Sequence, residues 1–187
     1  MLYPVSVIDG LVHSAGGPKL AFECKMINVF KGGCPVGNAV ETSPGSDSLY
    51  KCYDRIIHTT PPFFQNCNNE SNDKSKDGST RNTTEILHQC YKSALKIAFE
   101  GGNQTQEIKV ACPIIGAGAR GFPYDVAVNV AAHESREWLG MDNNECSDKN
   151  DQTPHLTLAF GIPNPDVAEL LVQTLNDLEV EDTQIDM

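Results

Sequence analysis

Two groups of residues have the types and spacing to do chemistry. Asp9 and His13 stand four apart in a stretch of helical period, so a helix would bring a carboxylate and an imidazole to one face. There the carboxylate can orient the ring or a water, although the same spacing also fits an exposed surface pair of small worth. The second group is Gly116-Ala117-Gly118-Ala119-Arg120-Gly121-Phe122, set between the apolar run Val110 to Ile115 and an alanine- and valine-rich segment starting at Pro123. This pattern predicts strand, glycine loop and helix. Glycines 116, 118 and 121 permit positive φ and close approach of a ligand, and the N–H groups of the loop and of the helix start are expected to face outward. Such a loop suits a phosphate or pyrophosphate.

The loop fits G-x-G-x-x-G, the dinucleotide fingerprint of a βαβ unit. That fingerprint also needs an acidic residue closing the next strand, to hold a ribose. Here the next apolar run, Leu156 to Phe160, ends in Gly161-Ile162-Pro163 with no carboxylate. A turn that merely joined a strand to a helix would need one glycine rather than three.

The elements that must position these residues alternate along the chain. A helix from about Val7 to Gly16-Gly17 carries Asp9 and His13, and Pro18 starts a second helix reaching about Val29. Short strands are expected at 37–42 and 54–60, the second stopped by Pro61-Pro62, with a loop at 44–48. A helix capped by Thr83 or Thr84 runs to Phe99. The last strand is 155–160, and the last helix, capped by Asn164, is 165–178. Residues 65–82 are nearly devoid of apolar side chains and are expected to form a mobile insertion; 142–153 reads as a polar loop and 179–187 as a solvated acidic tail. The rest, 1–178, is expected to be one α/β domain.

A formal net charge of −11 excludes a general nucleic-acid or membrane-surface binder, so an anionic ligand must be caught by local geometry. The seven cysteines, an odd number without C-x-x-C spacing, predict neither a zinc cage nor a disulfide framework. Reduced thiols, no metal and an intracellular setting, cytoplasmic or nuclear, are therefore expected. No apolar run approaches transmembrane length, and the first residues have no leader-like pattern.

Several stretches together resemble the macrodomain family, the module that binds ADP-ribose. They are Asp9-Gly10-Leu11-Val12-His13 with Ala15-Gly16-Gly17-Pro18 and Glu23-Cys24, then 32–39 with Thr42, then Ile56-Ile57-His58-Thr59, then Pro113 to Pro123. The resemblance implies a three-layer α/β/α sandwich with a mixed central sheet and ADP-ribose in a crest cleft, as ligand rather than cofactor. It implies that residues 116–122 wrap the pyrophosphate, with Phe122 or Arg120 beside the distal ribose, and that ADP-ribosylated proteins are partners. In the hydrolase branch, positions matching Asp9 and His13 lie at the distal-ribose end, where the aspartate helps a water cleave an ADP-ribosyl ester. Arg120 stands where that branch usually has an aromatic residue, as in members that bind without cleaving. Family members also place two strands, an adenine-binding aspartate, a ribose-binding asparagine and a glycine loop before the equivalent of Asp9. Residues 1–6 hold no glycine, aspartate or asparagine. The domain is thus expected to be N-terminally incomplete, with a gap or exposed edges in its sheet. Three readings follow: an ADP-ribose binder, an ADP-ribosyl hydrolase using Asp9 and His13, or a truncated macrodomain with a structural or interaction role. The oligomeric state is left open.

Overall fold

The computed structural model describes residues 7–64, 82–100, 107–144 and 156–185. The order is α1 (Val7–Lys31), β1 (Ala39–Thr42), α2 (Asp47–Tyr50), β2 (Ile56–Thr59), α3 (Thr83–Glu100), β3 (Ile108–Cys112), α4 (Tyr124–Asn144), β4 (Leu156–Phe160) and α5 (Pro165–Ile185). The two expected N-terminal helices are both present, as the two halves of α1 on either side of a kink. Pro18 cannot donate to the preceding turn, and Gly17 absorbs the break at φ 66°, ψ −160°.

The strands form two pairs rather than one continuous sheet. β1 runs antiparallel to β2, with Ala39 opposite Thr59 and Thr42 opposite Ile56. β3 runs parallel to β4, with Ile108 opposite Leu156 and Cys112 opposite Phe160. Among the described residues no ladder joins β2 to β3. What holds the pairs together is α3, which packs on β1, β2 and β3. A second tie is the Phe64 N–H, which donates to the Arg120 carbonyl at 2.9 Å and so joins the exits of β2 and β3.

The arrangement is layered. His58 of β2 points toward Cys24 of α1, 4.0 Å away, and strand alternation turns its neighbours Ile57 and Thr59 to the opposite face, where α3 lies. On that side α3 packs against α4, and α4 in turn against α5. Their core joins Leu87 and Tyr91 of α3 to Ala127, Val128, Ala131 and Ala132 of α4 and Val167 and Leu171 of α5. The alanines keep α4 thin enough to lie between two helices, and each buried Leu or Val contributes about 1.5–3 kcal/mol.

Several boundaries differ from the sequence expectation. β3 stops at Cys112, because Pro113 has no N–H with which to continue the ladder. α4 continues to Asn144 and α5 to Ile185, into segments read as polar loop and solvated tail. Polarity alone does not end a helix, and neither extension meets a glycine or proline beyond Gly140. The loop at 44–48 contains the start of α2, whose cap Ser46 accepts from the Leu49 N–H at 3.4 Å. At α3 the capping oxygen belongs to Asn82, which accepts from the Thr84 N–H at 3.0 Å, rather than to Thr83 or Thr84. The expected insertion at 65–82 lies outside the described residues apart from Asn82, as does most of 142–153. No helix among the described residues is long and apolar enough to cross a membrane.

Candidate functional site

The glycine loop is a turn anchored from below. The Ile115 N–H donates to the hydroxyl of Tyr91 at 2.9 Å, and Tyr91 is buried in α3. Gly116 then turns at φ 90° and Gly121 at φ 75°. A Cβ on Gly116 would lie 3.0 Å from the Phe122 ring and 3.2 Å from Leu87, so that glycine is needed for packing. Gly118 differs: its φ is not positive, and a Cβ there meets nothing within 4 Å. Its side faces open space, which is where a ligand could approach.

Three of the loop N–H groups are not free but bonded within the turn. Ala117 N–H donates to Ile114 O (3.4 Å), Gly121 N–H to Gly118 O (2.9 Å) and Phe122 N–H to Gly116 O (3.2 Å). These bonds shape the turn. Among the described residues the N–H groups of Gly116, Gly118, Ala119 and Arg120 have no acceptor; Gly116 is buried, and the other three, on exposed or half-exposed residues, are the ones available to an anion.

Arg120 and Phe122 go to different places. The Phe122 ring is 3% exposed and packs against Phe64 at 5.2 Å between ring centroids, so its side chain belongs to the core rather than beside a ligand. The Arg120 guanidinium lies over the Phe63 ring at 4.6 Å, a cation–π contact that holds a positive charge at the rim.

Asp9 and His13 are both half-buried on α1, on the other side of β2 from α3. His13 lies 6.1 Å from the His58 ring, centroid to centroid, at 51°. His58 itself is enclosed, and its Nε2 is 2.8 Å from Thr42 Oγ1 and 4.0 Å from Cys24 Sγ. Burial lowers its pKa to about 4, helped by the charge of His13 and opposed by Asp9 and Glu23, so His58 is neutral at physiological pH. Asp9 and His13 lie on α1, whereas the glycine loop lies between β3 and α4. Both groups are tied to one stretch, 58–64: the histidines at His58, the loop at Phe63 and Phe64.

Sequence reasoning did not place His58, Thr42 or Cys24 in a site. Each comes from a different element, at positions 24, 42 and 58, so no spacing rule links them. Glu23 was likewise unassigned; its carboxylate takes the Ser43 N–H at 2.7 Å and the Ser43 hydroxyl, locking α1 to the turn after β1. The cysteines described, 24, 34, 52, 90 and 112, are free, as expected. Burial raises the pKa of Cys24, Cys34 and Cys90 and pushes Cys112 up to about 12, which leaves these thiols protonated and weakly nucleophilic.

The sequence profile of the family described as Macro domain matches residues 2–131. Among curated proteins, a macro domain-containing protein of Caldanaerobacter subterraneus, TTE0995, is 34% identical over 132 residues, covering 71% of this chain and 64% of that protein. An O-acetyl-ADP-ribose deacetylase of Citrobacter rodentium is 29% identical, covering 71% and 63%. The human ADP-ribose glycohydrolase MACROD2 is 34% identical over 138 residues, covering 74% of this chain and 27% of that one. The matched part thus spans less than two thirds of the length of these relatives. Among solved structures, the Oceanobacillus iheyensis macrodomain with ADP superposes with TM-score 0.69 at 21% identity, covering 96% of this chain and 80% of that one. The Trypanosoma brucei macrodomain in complex with ADP-ribose gives 0.60 at 20% identity, covering 89% and 55%.

Proposed function

Since this chain belongs to the macro domain family, we propose that it binds ADP-ribose, free or attached to a protein, at the glycine loop. The observation that carries this reading is the set of three unpartnered N–H groups at Gly118, Ala119 and Arg120, beside the open side of Gly118. Clustered N–H dipoles bind an anion without a net positive charge, which an acidic chain needs if it is to take up a pyrophosphate. Ala117, Gly121 and Phe122 shape the loop, Gly116 packs it down, and Arg120 rather than Phe122 is the residue suited to flank the distal ribose.

A second reading, cleavage of an ADP-ribosyl ester, is favoured by Asp9 and His13 on one half-buried helix face. Attack at the anomeric carbon needs a positioned water and a carboxylate to orient it or to stabilise positive charge building on the sugar. Asp9 supplies the carboxylate in this reading, and His13 positions it or the water. Relatives named as a deacetylase and a glycohydrolase are consistent with it. Arg120 in place of an aromatic residue weighs toward binding without cleavage. The setting we infer is inside the cell, cytoplasmic or nuclear, where free thiols persist and ADP-ribosylated proteins are partners.

The test is calorimetric titration with ADP-ribose, with AMP as control, on the chain and on Gly118→Val. Valine at 118 projects into the space a pyrophosphate would fill, and it leaves the core untouched. Loss of at least about tenfold in affinity, roughly 1.4 kcal/mol, with an unchanged melting temperature, supports the placement. Unchanged affinity would refute it.

A further inference from the structure

We propose that His13, Cys24 and His58 form a site for a borderline transition-metal cation, Zn²⁺ being the one their chemistry fits best. The three offer one ligand atom each, and these atoms lie within 4.8 Å of one another. Cys24 and His58 are buried and His13 is half-buried, so the site is enclosed on two sides and reachable from the third. The proposal does not depend on whether ADP-ribose binds.

The geometry is close to what coordination requires. With Zn–N of about 2.0–2.1 Å and Zn–S of about 2.3 Å, tetrahedral ligands stand about 3.3–3.8 Å apart. Cys24 Sγ and His58 Nε2 are 4.0 Å apart already. All three ligand atoms lie within 4.8 Å of one another, so tetrahedral spacing asks them to close by about 1 Å at most. His58 is rigidly seated in β2 and present as neutral imidazole, the form that ligates. One hydrogen bond, from His58 Nε2 to Thr42 Oγ1, is given up when the metal takes that nitrogen.

The surrounding charges favour a cation. Asp9 and Glu23 both act on Cys24 through space in the direction that resists a thiolate. In a metal-free chain burial first, and those carboxylates after it, keep the thiol protonated; beside a dication the same charges become attractive and the thiolate is neutralised by the metal. One thiolate and two imidazoles leave a net positive charge on the centre for Asp9 and Glu23 to offset. Three protein ligands also leave a fourth position for water, the pattern of open rather than closed zinc centres. The sequence hides this set, because its members stand at 13, 24 and 58 rather than in a C-x-x-C or H-x-x-x-H run.

The experiment uses Co²⁺ as a spectroscopic stand-in and Zn²⁺ as competitor, on the full chain purified with chelator. The expected result is a thiolate-to-cobalt charge-transfer band saturating at about one metal per chain and abolished by Zn²⁺ at equal concentration. Elemental analysis after gel filtration should find zinc retained at the same ratio. The band should vanish in Cys24→Ser, fall at least tenfold in affinity in His13→Asn, and persist in Cys52→Ser, whose thiol is exposed and remote. If Cys24→Ser fails to fold, His13→Asn, altered only at a half-exposed ring, carries the test. No charge-transfer band in the folded parent chain, or a band that survives Cys24→Ser or is lost in Cys52→Ser, overturns the proposal. ADP-ribose titration of the same samples is read separately, so failure of either proposal is visible without the other.

Discussion

At the scale of single residues, His58 couples burial to a displaced titration. Its folded pKa, about 4, lies below the ordinary value of 6.5. Above pH 6.5 folded and unfolded chains are both neutral there, and the residue imposes no penalty. As pH falls from 6.5 to 4 the unfolded chain takes up a proton that the folded chain refuses, so stability is lost across that window. The total is on the order of 3 kcal/mol. Urea unfolding of the metal-free chain between pH 7 and pH 4 should show this fall, and His58→Gln should reduce its steepness; an equal slope in the variant would contradict the assignment. For Asp9, Asp9→Asn should leave ADP-ribose affinity within about threefold while abolishing any ester cleavage, about 10²-fold or more, as loss of a general base does. Cleavage that persists in Asp9→Asn would remove this residue from the mechanism. At this scale the sequence disclosed which residue types meet a pyrophosphate. It did not disclose that Phe122 turns inward, because an aromatic after a glycine serves a core as readily as a ligand.

At the scale of elements, glycine and tyrosine positions fix how the site is carried. Gly45, at φ 84°, lies so close to α1 that a Cβ would sit 2.5 Å from the Gly16 carbonyl and 2.9 Å from the Leu20 nitrogen. Both neighbours are backbone and cannot turn aside. Gly45→Ala should therefore destabilise by about 2–4 kcal/mol, combining an unfavourable φ with overpacking, measurable as a lower urea midpoint at unchanged m-value. Wild-type stability in that variant would mean that α1 and the turn after β1 are further apart than described. Tyr91→Phe removes the acceptor of the half-buried Ile115 N–H beneath the loop and should cost about 1–3 kcal/mol, with ADP-ribose affinity falling as well. The elements themselves were largely legible: helical periodicity and proline–glycine punctuation marked α1, α3, α4 and α5, and Pro61-Pro62 marked the end of β2. The ends of α4 and α5 were missed because acidic and amide residues read as solvated whether or not they are helical. Tyr91 was missed because the acceptor and donor are 24 positions apart, beyond any local pattern.

At the scale of the whole molecule, two strand pairs lie between α1 on one side and the α3–α4–α5 layer on the other. The expected discontinuity of the sheet is met among the described residues by the separation of β1–β2 from β3–β4, bridged by α3 and by the Phe64–Arg120 hydrogen bond. Among the described residues the hydrogen bonds that anchor the glycine loop and its entry from outside run to Tyr91 of α3 and to Phe64. The family and the layered fold were legible because motifs along the chain fell in one order. The His13–Cys24–His58 cluster was not, because only the folded chain brings α1 against β2. The central claim is that this arrangement suffices to hold ADP-ribose, and calorimetric titration of the folded chain tests it most directly. Micromolar binding of ADP-ribose, about −8 kcal/mol, much weaker binding of AMP, and loss of the signal in Gly118→Val are expected. A chain shown folded by circular dichroism that takes up no ADP-ribose, or that binds it equally well with valine at 118, would contradict it.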